Sequence, residues 1–415
     1  MSGGGGAKFP LLAWLWAFKL TPNGRGLVAA GLALSSMASA STLAPIYTVL
    51  FTLFALGLAA FVINLLHRPR LHAECAMPRR VVAGAEIHGA ARVSNRGRGP
   101  ALEVRAAFTG LPRWLRPEGG EVMAGLLRAG EETELPLRMR AMKRGVYTLP
   151  PLRAFTTFPF NLLRSGAART GVPPLTVLPR FTPASAVRLP ATARYQPGGV
   201  TLTSEVGESP EYIGNREYRD GDSPRRLDTR AWARLARPVV REFQEEFFLR
   251  LALVVDTHIP RGRRPGPEGF PGLEAAVSLA ATLADALSRG EYVIDIFAAG
   301  PQLYRFRTGR NTSSFDSVLD ILAALEPCRS NPFDTLTPAL AQEFATVSTL
   351  VCVLLDWDES RRALVRMAAE AGCRVKVFLV RDGAASLPEA DMAGCVDEFV
   401  RMTPADVAKG AFDAL

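Results

Sequence analysis

From residue 26 to residue 66 the chain runs for 41 positions without a charged side chain. A single membrane pass needs about 20 apolar residues, so this run is too long for one helix and suits two. Ala40-Ser-Thr-Leu-Ala-Pro45 offers small polar residues and a proline for a tight turn at its middle. The pattern predicts a two-helix transmembrane hairpin over residues 26–66, with spans at 26–42 and 46–66. Lys19 and Arg25 precede the first span, and Arg68, Arg70, Arg79 and Arg80 follow the second. Basic flanks face the cytoplasm, so both ends, and all that follows, are expected inside the cell. Two other interpretations stay on the page. Ala38-Ser-Ala40 resembles a signal-peptidase site, but the 25 residues ahead of the run are long for a signal peptide, and 46–66 would still anchor a cleaved chain. A buried hairpin in a soluble core is disfavoured by so many uncharged residues in a row. The segment at 1–25 includes the Trp-rich stretch 11–18, which suits a membrane interface.

The chain is 415 residues long, room for two or three domains. Its net charge of +9 is concentrated: residues 67–180 hold nineteen Arg or Lys against eight Asp or Glu. Cations next to an apolar run suit an anionic leaflet, each gaining about 1 kcal/mol there. Nucleic-acid binding is not expected, because these arginines alternate along strand-like segments without clustered aromatics. Five scattered cysteines with no Cys-x-x-Cys pair suggest neither a disulfide framework nor a zinc site.

Residues 71–180 read as an all-β, immunoglobulin-like sandwich. Leu102, Val104, Ala106 and Phe108 alternate with Glu103, Arg105 and Ala107, and Leu135, Leu137 and Met139 with Pro136 and Arg138. Turn clusters such as Asn95-Arg-Gly-Arg-Gly-Pro100 and Lys143-Arg-Gly145 separate the runs. Residues 181–247 read as a connector carrying an Arg/Asp-rich block. From residue 248 the period changes. Apolar strands at 249–255, 292–297, 350–355 and 375–380 alternate with helical patterns at 273–287, 315–325 and 360–371. That alternation predicts a doubly wound α/β domain over 248–415. Ligands of such sheets lie beyond the carboxyl ends of the strands, where Asp256 and Asp356 fall.

The block itself runs Gly214-Asn-Arg-Glu-Tyr-Arg-Asp-Gly-Asp-Ser-Pro-Arg-Arg-Leu-Asp228. Arg216, Tyr218, Gly221, Asp222, Arg225, Arg226, Asp228 and the nearby Arg234 are its candidate functional residues. Gly221 is free to take positive φ, and Asp222 can accept hydrogen bonds from its own turn. Residues 216–246 contain eight Arg and seven Asp or Glu. That balance favours planar Arg–carboxylate pairs over a phosphate-binding patch, and the block is expected to act as an interdomain clasp.

These features together resemble a bacterial membrane family, domain of unknown function 58. The resemblance rests on Arg216-Glu-Tyr-Arg-Asp-Gly-Asp-Ser-Pro-Arg225, Ala233-Arg234 and Val240-Arg-Glu-Phe243. Lys143-Arg-Gly-Val-Tyr-Thr-Leu149 and Phe158-Pro-Phe-Asn-Leu162 support it, with Asn161 where the family usually has Gly. It implies two N-terminal spans in the inner (cytoplasmic) membrane, a sandwich, and a von Willebrand factor A-like domain. It also implies partnership with a MoxR-type AAA+ ATPase and with other A-domain membrane proteins in maturing client complexes.

Two departures bear on function. Thr229 follows Asp228 where the family usually has Trp, and Trp232 stands nearby. Metal-holding A-domains carry Asp-x-Ser-x-Ser at the first strand end, because hard cations take hydroxyl and carboxylate oxygens. Here the segment is Asp256-Thr-His-Ile-Pro260, with both serines gone. No cofactor is therefore expected. If Mg²⁺ bound, Asp256, Thr335 and Asp356 would hold it, with Thr337 and Asp358 as further oxygens. The sequence has no Gly-x-Ser-x-Gly elbow, Walker loop or His-Glu-x-x-His helix. The expected function is a membrane-anchored, non-enzymatic adaptor. The alternative is a divalent-metal-dependent ligand-binding or hydrolytic protein using the Arg/Asp-rich block and the strand-end carboxylates.

Overall fold

Proline and threonine start the first helix. In the computed structural model the described residues are 15–40, 44–120, 122–185, 187–190, 211–220, 222, 224–244, 249–289, 292–299, 303–307 and 315–410. The Thr21 hydroxyl accepts the Gly24 N–H at 3.0 Å, ahead of Pro22 in the first turn of α1 (Pro22–Ala40). The same hydroxyl donates to the Leu162 carbonyl at 3.2 Å. The helix α2 (Ala44–Leu66) follows, and Tyr47 donates from its hydroxyl to the Ala38 carbonyl at 2.8 Å. Within α2, Pro45–Leu66 is long and apolar enough to cross a membrane, and most of it is uncovered by protein. Among the described residues it alone meets that test. α1 is rich in Ala, Gly and Ser, and it begins four residues before the expected span, taking in Arg25.

The chain divides into two compact units. The first holds these helices and a β-sandwich of eleven strands: β1 (Leu71–Ala76), β2 (Arg80–Val82), β3 (Glu86–Asn95), β4 (Ala101–Phe108), β5 (Leu115–Pro117), β6 (Met123–Leu127), β7 (Glu132–Ala141), β8 (Gly145–Tyr147), β9 (Leu152–Thr156), β10 (Ser165–Thr170) and β11 (Leu175–Leu178). Antiparallel sheets β1-β3-β7-β5 and β10-β9-β4-β6 enclose Ala91, Val93, Val104, Leu127, Leu135, Leu152 and Ala154. A three-stranded sheet, β2-β11-β8, covers a second cluster around Ile87, Met139, Leu149 and Val177. Alternation holds along β7, where Leu135, Leu137, Met139 and Ala141 are all buried. It breaks in β4: Glu103 has φ 48°, so Ala101, not Leu102, shares the buried face of Val104 and Ala106. Asn161 takes φ 51°, the left-handed conformation its amide side chain tolerates.

The second unit is built on a six-stranded sheet, ordered β16-β15-β14-β17-β18-β19. It follows a hairpin of β12 (Glu211–Glu217) and β13 (Val239–Gln244), bridged by α3 (Thr229–Leu235). The sheet strands are β14 (Leu249–Val255), β15 (Tyr292–Ala299), β16 (Leu303–Arg307), β17 (Thr349–Leu354), β18 (Arg374–Val380) and β19 (Glu398–Met402). All pairs are parallel except β15 with β16. The helices after β13 are α4 (Pro271–Ser288), α5 (Phe315–Ala324), α6 (Phe333–Ala341), α7 (Glu359–Glu370) and α8 (Pro404–Lys409), with the start of α4 and residues 319–324 of α5 grouped in the first unit. β14 lies at the centre, and the chain moves outward from it first through β15 and later through β17. β17 is buried along its entire length. Each fully buried Val or Leu contributes about 1.5–3 kcal/mol, so this central layer holds the site residues rigidly.

Part of the expected connector is tied to this unit. Thr282 donates to the Thr182 carbonyl at 3.0 Å, Arg289 to Ala184 at 2.8 Å and Lys376 to Arg188 at 2.6 Å. The stretch 191–210 lies outside the described residues.

Candidate functional site

Val255 pairs with Ala298 on one side and Val353 on the other, so the carboxyl ends of β14 and β17 emerge together. This is the point where the strand order reverses, the usual ligand crevice of an open α/β sheet. Asp256, the next residue, is fully buried and its N–H donates to Val353 at 2.9 Å. Its Oδ1 accepts the His258 N–H at 2.9 Å. Its Oδ2 accepts the Leu355 N–H at 2.9 Å, Arg361 Nε at 2.8 Å and Arg361 Nη2 at 2.6 Å. Thus one carboxylate ties both central strand ends to α7.

Arg361 is 1% exposed. It lies on the stripe of Leu364, Val365 and Ala368 that buries α7, at helical spacing. Its Nη1 pairs with Asp358, whose carboxylate also caps α7 by accepting the Arg361 N–H at 3.1 Å. The guanidinium sits 4.9 Å from the Phe333 ring centroid. Burial opposes the charge, but Asp256 and Asp358 outweigh it and hold the Arg361 pKa above the ordinary arginine value.

Asp356 is equally engaged. Its Oδ1 accepts the N–H groups of Trp357 at 2.8 Å and Ser386 at 2.9 Å, and its Oδ2 takes the Ser386 hydroxyl at 2.7 Å and Arg381 at 2.5 Å. Although burial works against ionisation, the bonds from Ser386 and Arg381 prevail and depress its pKa. His258 contacts the Ser330 carbonyl through Nδ1 at 3.0 Å, and its backbone bridges to Cys328.

Asp256 and Asp356 do come to the crevice that sequence placed them in, but the set Asp256, Thr335 and Asp356 does not fit a metal. A carboxylate has about four lone-pair sites. Asp356 takes two donors on each oxygen, and Asp256 takes three on Oδ2, two of them from the Arg361 cation, and one on Oδ1. Thr335 is exposed on α6 and bonds to neither carboxylate. Asp358 is spent on its helix cap and on Arg361. Arg361, Arg381 and Ser386 were not singled out by sequence. Arg361 had a legible signal, an arginine on the apolar stripe of an amphipathic helix.

The Arg/Asp-rich block folds in the second unit as the β12–β13 hairpin with α3. Arg216 grips Asp222 with two parallel bonds, each 2.7 Å, and the Arg219 N–H adds a third at 2.8 Å. These bonds, led by Arg216, pull the Asp222 carboxyl down to about 2. Asp228 caps α3 by accepting the N–H groups of Arg230 and Ala231, and it also holds Asn215 at 3.3 Å and Arg241 at 3.4 Å. The Tyr218 N–H reaches Pro238 at 3.0 Å. Arg225 and Arg234 are exposed, without an ion pair among the described residues, so they do not join the pairing expected of them. Gly221 lies outside the described residues, as does the side chain of Arg226. Trp232 is also exposed.

The fold and the site define an α/β domain following a β-sandwich and an apolar N-terminal helix. The model of the family described as "Protein of unknown function DUF58" matches residues 214–395, and this region supports the resemblance to that family. No curated protein matches the chain. Among solved structures, the CARDB domain of the PF1109 protein from Pyrococcus furiosus, in complex with di-metal ions, is 14% identical. It covers 27% of this chain and 94% of its own, with a TM-score of 0.19. Alpha-2-macroglobulin of E. coli is 21% identical over 27% of this chain and 7% of its own, with a TM-score of 0.21. An exo beta-N-acetylglucosaminidase from Vibrio harveyi is 10% identical over 75% of this chain and 57% of its own, at 0.18. Likenesses at these scores carry no argument.

Proposed function

We propose that the protein is a non-enzymatic adaptor anchored in the bacterial inner membrane, with its soluble domains in the cytoplasm. α1 and α2 together form its two-pass hairpin, and the six-stranded sheet with its antiparallel edge is a von Willebrand factor A-like platform. A MoxR-type AAA+ ATPase docks on the cytoplasmic part and acts on a client complex nearby, alongside other A-domain membrane proteins. The observation that supports this reading best is the state of the strand-end carboxylates. Asp256 and Asp356 are bound to Arg361 and Arg381, which suits a rigid platform more than proton transfer or hydrolysis.

The alternative, a divalent-metal-dependent hydrolytic or ligand-binding protein, needs those same groups free. Affinity capture of the full chain under mild detergent, with mass spectrometry of the eluate, separates the two. Recovery of an AAA+ ATPase supports the adaptor. Recovery of the chain alone, with Mg²⁺-dependent turnover in the purified material, would overturn it.

A further inference from the structure

A fully buried carboxylate at a strand end needs a positive charge beside it, because an isolated ion in a low-dielectric site is strongly disfavoured. In metal-holding A-type sites a divalent cation answers that need. Here α7 answers it. Both Nε and Nη2 of Arg361 fall on Oδ2 of Asp256, at 2.8 and 2.6 Å, while Nη1 reaches Asp358. The guanidinium packs over Phe333 and is almost wholly enclosed.

We infer that Arg361 is the resident cation of the switch-point crevice, occupying the role of the divalent ion, so that this end of the sheet works without a metal. Three facts converge on it. Oδ2 of Asp256 already receives the Leu355 N–H and two Arg361 donors, Oδ1 receives the His258 N–H, and a hard cation needs about six oxygens. A divalent ion drawn to Asp256 would lie against the guanidinium, and like charges in a buried site repel strongly. Finally, the two serine positions that would complete an oxygen cage are His258 and Pro260 here, and the His258 ring turns to the Ser330 carbonyl. A consequence is that no open coordination position awaits a partner's carboxylate. Whatever docks here meets a neutralised surface and is recognised by shape and hydrogen bonding. This follows from the geometry of the crevice and stands whether or not an ATPase is the partner.

The test uses the full chain in detergent. Mn²⁺ is titrated and followed by its paramagnetic resonance signal, and melting is recorded in Mg²⁺ and in chelator. The wild type should bind no Mn²⁺ that Asp256→Asn removes, and its melting temperature should be the same in Mg²⁺ and chelator. Arg361→Ala leaves Asp256 and Asp358 facing each other without a cation. It should gain Mn²⁺ binding and a melting temperature raised by Mg²⁺, both lost in Arg361→Ala/Asp256→Asn. Arg361→Lys keeps the charge and should ignore both ions like the wild type; it serves if the alanine variant fails to fold, and acquired Mn²⁺ binding in it would count against the idea. Wild-type Mn²⁺ binding abolished by Asp256→Asn would overturn the inference. So would a folded Arg361→Ala chain that still ignores Mn²⁺.

Discussion

At the residue scale, the two ion pairs of the second unit differ in kind. Arg361 and Asp256 are enclosed, and breaking a buried pair strands the remaining charge. Arg361→Ala should therefore lower stability by about 3–5 kcal/mol, read from chemical unfolding of the detergent-solubilised chain. A change below about 1 kcal/mol would mean that water reaches the crevice. Arg216 and Asp222 are partly exposed, and their pairing shows in pH dependence. The Asp222 carboxyl falls from its ordinary 3.8 to about 2 in the folded chain. A depressed folded value stabilises above the ordinary value, and the contribution disappears as pH falls toward about 2. The melting temperature of the wild type should exceed that of Asp222→Asn near neutrality, with the gap closing on acidification across that window. A gap that widens in acid would contradict the pairing.

At the element scale, α7 and α2 carry the account. Asp358 caps α7 and also pairs with Arg361, so Asp358→Ala should cost at least the roughly 1 kcal/mol of a lost cap. Phe54 lies exposed near the middle of α2. An arginine there costs about 2.5–3.5 kcal/mol of membrane insertion, so Phe54→Arg should shift a measurable fraction of the chain out of the membrane pellet. Unchanged partitioning would argue that α2 is not the anchor. Elements buried on both sides were readable from sequence, because continuous apolar runs such as residues 251–255 leave few choices. Edge elements were not. β16 alternates Arg305 and Arg307 with apolar residues, and β19 is only half buried, so neither resembles a buried strand. In β4 the missed feature was a single backbone angle at Glu103, which no alternation rule anticipates. The crevice was legible as two strand-end aspartates, whereas their partners were hidden. Arg361 lies 105 positions from Asp256 in sequence, and only the fold brings them together.

At the scale of the whole molecule, an apolar helix precedes a β-sandwich and a parallel α/β sheet whose strand-end charges are internally settled. The proposed adaptor role places these surfaces next to a bilayer. All of it depends on the helix being in lipid. The most direct measurement is alkaline carbonate extraction of membranes from cells expressing the full chain, beside a chain lacking residues 1–66. The account predicts that the full chain stays with the pellet and the shortened chain moves to the supernatant. A full chain washed free of the membrane would contradict it.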